Sequence, residues 1–255
     1  MKAVILAGGL GTRLSEETMI KPKPLVEIGG RPIIWHIMKI YASFGINNFI
    51  IFFGYKGHLI KEFFANYTFY MSDLTIDLAA KSVTTHKNEA EGWRVALIDA
   101  GESTMTGGRL ARVIDSIEED AFCMTYGDGV ADVDIAQSIR FHHAHGGLAT
   151  VTAVHTPRRF GILEMNGDRV SSFHEKPKGE GGLINGGFFI LSPLVRRYLH
   201  GDTTVWEQEP MQRLVADYEF FAFRHDGFFQ PMDTLRDRTD LEQLWASGSP
   251  PWKCW

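Results

Sequence analysis

A chain of 255 residues, 44% of them hydrophobic, is long enough to bury a substantial core. Its net charge of −5 argues against the basic face of a nucleic-acid binder, so anionic partners must be held by local cations rather than by a global field. Two cysteines, Cys123 and Cys254, cannot build a disulfide framework or a thiolate metal site, and they predict reduced thiols and a cytoplasmic setting. The apolar run Ala3 to Ala7 is too short for a secretory core, and no stretch is long enough to span a bilayer.

The first predicted element is a buried strand from Met1 to Ala7, which opens into Gly8-Gly9-Leu10-Gly11-Thr12-Arg13-Leu14. Glycines there leave backbone N–H groups open to anionic oxygens. Arg13 adds a planar fork of donors, and Lys21-Pro22-Lys23-Pro24 follows, its prolines keeping the lysines apart. No Lys-Ser or Lys-Thr closes the glycine turn as a Walker loop requires, and Leu14 stands where a dinucleotide fingerprint needs its third glycine. A turn that merely joins strand to helix is the plain alternative, and the added cations weigh against it.

Ile33 to Phe44 carries apolar residues at helical spacing with Gly45 as its stop, Asn48 to Phe53 reads as a buried strand, and Gly57 to Tyr67 as a second helix. This alternation predicts a parallel, doubly wound sheet with its ligands beyond the carboxyl ends of the strands. Short alternating runs between residues 71 and 100 read as a β-rich insertion. Ser103 to Arg109 precedes a helix running to about Glu118, so its amides and Arg109 either face an anion or form an ordinary cap.

The strand Phe122 to Tyr126 ends in Gly127-Asp128-Gly129, where Asp128 has the posture of a metal ligand or of an Asp-Gly turn. A helix from Asp134 to His145, a strand from Leu148 to His155, a hairpin from Phe160 to Phe173 and a strand from Gly187 to Leu191 follow. His142, His143 and His145 lie at a helix carboxyl end, which predicts solvated partners of the dipole rather than metal ligands. Helices are expected near Glu207 to Asp217 and Thr234 to Trp245. Asp233 is a second candidate acid or the cap of the last helix, Lys176 beside Glu175 is an anion binder or an exposed pair, and the acids of Trp206 to Pro210, Glu207 and Glu209, contact a ligand's hydroxyls or decorate a helix start. The two tryptophans of the Pro250 to Trp255 tail suggest docking onto the body or a neighbour.

Ala7-Gly8-Gly9-Leu10-Gly11-Thr12-Arg13-Leu14 with Lys21-Pro22-Lys23-Pro24 resembles the opening of the sugar-1-phosphate nucleotidyltransferases. Thr125 to Asp132, Phe173 to Pro177, Ile184 to Phe188, Trp206 to Pro210 and Gln230 to Thr234 resemble one branch, the glucose-1-phosphate cytidylyltransferases. Ser15-Glu16-Glu17, where many relatives carry a proline, fits that branch.

The resemblance implies one domain over residues 1–255: an α/β fold with a Rossmann-like, doubly wound, mostly parallel but mixed central sheet, helices on both faces and the small insertion at 71–100. It also implies attack by glucose 1-phosphate on the α-phosphorus of CTP, with Arg13, Lys23 and Asp128 in the chemistry. Leu6, Ala7, Gly8, Gly9, Gly11, Thr12, Arg13, Lys23, Thr104, Arg109 and Gly127 would surround the nucleotide. Glu175, Lys176, Asn185 and Gly186 would hold the sugar phosphate, and Asp128 and Asp233 one Mg²⁺. No nucleic-acid or membrane partner is implied, and a homo-oligomer, a hexamer, is expected. The product CDP-glucose would feed 3,6-dideoxyhexose formation for surface polysaccharide. The chemistry of the residues alone does not separate CTP from UTP or dTTP.

Overall fold

Apolar residues run unbroken through Ala3 to Leu6 in the first strand, β1 (Lys2–Leu6), as a strand covered on both faces requires. The computed structural model describes residues 1–9, 14–155, 162–174 and 182–255. Along the chain β1 is followed by β2 (Asn48–Phe53), β3 (Arg94–Asp99), β4 (Phe122–Tyr126), β5 (Ala149–His155), β6 (Ile162–Asn166), β7 (Arg169–His174), β8 (Leu183–Leu191) and β9 (Phe220–His225). Among the described residues these form one sheet in the order β5-β9-β7-β6-β8-β4-β1-β2-β3. The half made of β4, β1, β2 and β3 is parallel. β8 then runs antiparallel to β4 and to β5, so the sheet is mixed.

Successive side chains of a strand point to opposite faces, and β1 shows what each face meets. Ala3 and Ile5 join a core with α1 (Ile33–Ser43), Ile60 of α2 (Gly57–Ala65) and residues of the later helices. Val4 and Leu6 face Leu110 and Ile114 of α3 (Thr106–Ile114). Of the later helices, α4 (Ile135–His145) packs on the first side, α5 (Glu209–Ala216) on the second and α6 (Leu235–Ala246) on the first again, through Ile135, Leu214 and Leu241. The doubly wound α/β expectation therefore holds.

Three expected elements differ. Arg94–Asp99 does not belong to the β-rich insertion: it pairs in parallel with β2 as the edge of the central sheet, leaving Ser72–Asp77 and Ser82–Asn88 as a separate antiparallel ribbon. β8 begins at Leu183, ahead of the glycines, because the strand continues through them as a bulge that pairs Val151 with Phe189 but Ala153 with Asn185. α3 ends at Ile114 instead of running to Glu118.

Of the histidines of α4, His143 is exposed as expected, while His142 and His145 turn inward and are tied to the backbone and to Thr150. Gly147 N–H donates to His145 Nδ1 at 2.9 Å, so neutral His145 carries its proton on Nε2 and donates it to Thr150 Oγ1 at 2.7 Å. The Thr150 hydroxyl then donates to His142 Nδ1 at 2.9 Å. This directional chain is complete only while both rings are uncharged, and burial pushes both down to about 4.

The carboxyl-terminal tail docks onto the body. Trp252 is wholly buried, and its indole N–H donates to His36 Nδ1 at 3.3 Å while His36 Nε2–H reaches the carbonyl of Ile28 at 2.9 Å. Burial pushes the His36 imidazole down to about 4.

Candidate active site

Beyond the carboxyl ends of β1 and β4, and beside the amino-terminal half of the antiparallel β8, lies a cleft of about 510 Å³, where a doubly wound sheet places its ligands. Leu6, Gly8, Gly9, Thr104, Arg109, Asp128, Asn185, Gly186 and Asp233 line it, so the structure gathers these sequence-predicted positions around one space. Ala7, Lys23 and Gly127 do not line it: Ala7 and Gly127 tie the strand ends together behind the wall, Ala7 N–H donating to the Phe52 carbonyl at 2.7 Å and Gly127 N–H to the Leu6 carbonyl at 3.1 Å, and Lys23 meets the cleft through the carboxylates of Asp128 and Asp233. Gly11, Thr12, Arg13, Glu175 and Lys176 lie outside the described residues.

The two acids meet through a short ribbon. Gly129–Ala131 pairs antiparallel with Phe229–Pro231, Gly129 opposite Pro231, and Met232 N–H donates to the Asp128 carbonyl at 2.8 Å. Asp128 just before one strand and Asp233 just after the other are thus brought to the same end. The cap of α6 is Thr234, which accepts from Asp237 N–H at 3.2 Å in a reciprocal capping box. The Asp233 carboxylate is therefore not the cap and turns to Lys23 instead.

Lys23 Nζ stands 2.6 Å from Asp128 Oδ2 and 2.8 Å from Asp233 Oδ1. Its backbone lies in the tight turn Lys23–Leu25, with Pro22 before it and Pro24 within it, which aims the side chain inward. Lys21 points the other way, to Glu27 on the surface. Burial opposes the charge on Lys23, but the two carboxylates outweigh it and raise the ammonium above its ordinary value. Two hard carboxylate donors converging on one cation, at the rim of a cleft, are a donor set that suits a small divalent ion, and the ammonium marks the place where positive charge is wanted.

Across the cleft, Arg109 is buried, and its guanidinium donates to the Gly8 carbonyl at 3.0 Å. A Cβ on Gly8 would fall 2.0 Å from Arg109 Nη1, so this contact needs glycine. Burial lowers Arg109 from its ordinary value, with the Arg112 charge adding to it. Thr104 is not the cap of α3: the cap position is Met105, and the Thr104 hydroxyl donates to the Ala100 carbonyl at 2.5 Å.

On the third wall, Asn185 Oδ1 accepts from Gly187 N–H at 2.8 Å, and Gly187 has a left-handed φ of +76°. A Cβ there would lie 2.8 Å from the Tyr126 ring. The glycines thus let the backbone lie flat against the cleft. Sequence reasoning missed Thr106 and Tyr126, which line the cleft beside Glu207. Tyr126 carried a positional signal, as the last residue of a buried strand; Thr106 at a helix start carried none beyond capping.

A nucleotidyl transferase family model matches residues 2–213. The chain is 58% identical to the glucose-1-phosphate cytidylyltransferase of Salmonella typhimurium and 42% identical to a probable glucose-1-phosphate cytidylyltransferase of Bacillus subtilis, each over the full length of both chains. Among solved structures, HddC from Yersinia pseudotuberculosis shares its fold with a TM-score of 0.75 at 24% identity, covering 96% of this chain and 99% of that one.

Proposed function

The chain belongs to the nucleotidyl transferase family, and from this membership we propose that it transfers a cytidylyl group from CTP to α-D-glucose 1-phosphate, giving CDP-glucose and pyrophosphate. The observation that carries this reading is the pairing of Lys23 with Asp128 and Asp233, two acids that line one cleft opposite the Gly8–Arg109 contact, in a chain related over its full length to such enzymes.

Both substrates are polyanions, so the protein's task is to bring two negative groups together and to steady the charge that shifts between oxygens. The phosphate oxygen of glucose 1-phosphate forms a bond to the α-phosphorus of CTP as the bond to pyrophosphate breaks in line. No nucleophilic side chain is required. Lys23, held charged by its carboxylates, donates to the α-phosphate, and Gly8 and Gly9 offer backbone without side-chain bulk to the nucleotide phosphates. Arg109 and Thr104 line the nucleotide wall, while Asn185 and Gly186 offer hydrogen bonds and a flat backbone to the pyranose. Arg13 is proposed for the departing pyrophosphate, and Lys176 with Glu175 for the sugar phosphate. Asp128 and Asp233 would hold one Mg²⁺, which when bound supplies positive charge to the nucleotide oxygens.

We propose a homo-oligomer, a hexamer, which light scattering tests directly; no helix among the described residues is long and apolar enough to cross a membrane. The decisive experiment is a panel of CTP, UTP, dTTP and GTP with glucose 1-phosphate and Mg²⁺, reading pyrophosphate release. CTP preferred by at least about 10-fold in kcat/KM is the expected result, a difference of about 1.4 kcal/mol in transition-state binding. Equal use of UTP or dTTP would overturn the base assignment.

A further inference from the structure

Glu207 sits on the cleft wall at the end of a loop that is fixed to the start of α3. Met105 N–H donates to the Asp202 carbonyl at 2.8 Å, and Gly107 N–H to the Thr204 carbonyl at 2.9 Å. A Cβ on Gly108 would strike the Asp202 backbone at 2.6 Å, so glycine permits this approach. The neighbouring Trp206 is wholly buried against Phe189, which anchors the residue before Glu207.

The Glu207 carboxylate is gripped by two neutral hydroxyls. Thr106 Oγ1 donates to Oε2 at 2.6 Å while itself accepting from Trp206 N–H at 2.9 Å. The Tyr126 hydroxyl donates to Oε1 in a short contact. Among the described residues no cation pairs with this carboxylate, and each of its oxygens keeps a further lone pair. A carboxylate repels phosphate, so its acceptor capacity suits the uncharged, hydroxyl-bearing part of a ligand whose phosphates are gathered elsewhere by Lys23 and Arg109. Tyr126 also links this carboxylate to the part of the cleft proposed for the pyranose. Its ring packs against Gly187, whose N–H is held by the Asn185 side chain, so Glu207 and Asn185 lie at the same end of the cleft.

We propose that Glu207 is a specificity-determining residue that accepts a hydrogen bond from a pyranose hydroxyl of the sugar phosphate, with Thr106 and Tyr126 as the residues that position its carboxylate. This rests on the functional reading above. An acceptor that is charged and pre-aimed rejects a sugar lacking that hydroxyl more strongly than it favours the correct one, because the carboxylate is then left without its partner.

The test pairs Glu207→Gln and Tyr126→Phe with glucose 1-phosphate, its four monodeoxy analogues, CTP and 2′-deoxy-CTP. Glu207→Gln is expected to raise KM for glucose 1-phosphate about 10- to 100-fold while KM for CTP stays within about 2-fold. One deoxy analogue, used poorly by the unaltered protein, should lose its penalty in this variant, and Tyr126→Phe should shift the same analogue in the same direction by less. Unchanged penalties for all four analogues would overturn the proposal, as would a variant that loses discrimination against 2′-deoxy-CTP instead, which would assign Glu207 to the ribose. Should Glu207→Gln not fold, Tyr126→Phe and Glu207→Asp carry the same comparison. If the unaltered protein releases no pyrophosphate from CTP and glucose 1-phosphate, the functional reading fails; the role of Glu207 is then read from calorimetric binding of glucose 1-phosphate and its deoxy analogues, where the same lost penalty supports it and its absence overturns it.

Discussion

The ammonium of Lys23 lies 2.8 Å from the carboxylate of Asp233, a residue 210 positions further along the chain, and it holds Asp128 with the same nitrogen. One cation thus occupies the place where two hard acids meet, which makes the lysine and a divalent ion alternative partners of the same oxygens.

From this follows the first prediction. Asp128→Asn and Asp233→Asn should each lower kcat by about 100-fold or more and raise the Mg²⁺ concentration needed for half-maximal rate, read from pyrophosphate release. Lys23→Met should lower kcat by a similar factor but leave both acids uncompensated, so millimolar Mg²⁺ should raise its melting temperature more than it raises that of the unaltered protein. Equal Mg²⁺ shifts in the two proteins would argue against a shared cation place.

Gly8→Ala tests the opposite wall. The new Cβ would sit 2.0 Å from Arg109 Nη1 and evict a flexible guanidinium rather than backbone, so the fold should survive. KM for CTP should rise about 10-fold or more with the far-ultraviolet circular dichroism unchanged. An unaltered KM would remove the Gly8–Arg109 contact from nucleotide binding.

At Gly187 two demands coincide, a left-handed φ of +76° and close approach to Tyr126. Gly187→Ala should cost about 1–3 kcal/mol and lower the melting temperature by about 2–12 °C. The loss of activity with glucose 1-phosphate should exceed any change in CTP binding measured by calorimetry.

The buried imidazoles predict an acid-sensitive fold. His36, His142 and His145 are each pushed from 6.5 down to about 4 in the folded protein, so below pH 6.5 the unfolded chain binds more protons than the folded one. Stability is therefore full above pH 6.5 and falls as the pH drops toward 4, by up to about 1.4 kcal/mol per pH unit for each histidine. Melting temperatures between pH 7.5 and 4.5 check this, and His145→Gln should flatten the slope.

Much of the core was legible because buried parallel strands read as continuous apolar runs closed by glycine: Asn48–Phe53 and Phe122–Tyr126 stand where their patterns put them. Arg94–Asp99 alternates instead, because it is an edge strand with half its side chains facing out, and so it resembled part of an outlying ribbon. Lys23, Asp128 and Asp233 could each be singled out from local chemistry, yet their meeting could not. It depends on a ribbon of three residues per strand, Gly129–Ala131 against Phe229–Pro231, too short and too distant in sequence to leave a pattern. The grip of Thr106 and Tyr126 on Glu207 was hidden for the same reason, being made between a helix start, a strand end and a loop.

The seating of Trp252 against His36 gives the exposed thiol of Cys254 a practical meaning. That sulfur lies 3.0 Å from the Ser43 hydroxyl, two residues beyond an indole locked into the interior. A fluorophore coupled there would register the tail's attachment to α1, brightening or dimming as the tryptophan leaves its socket.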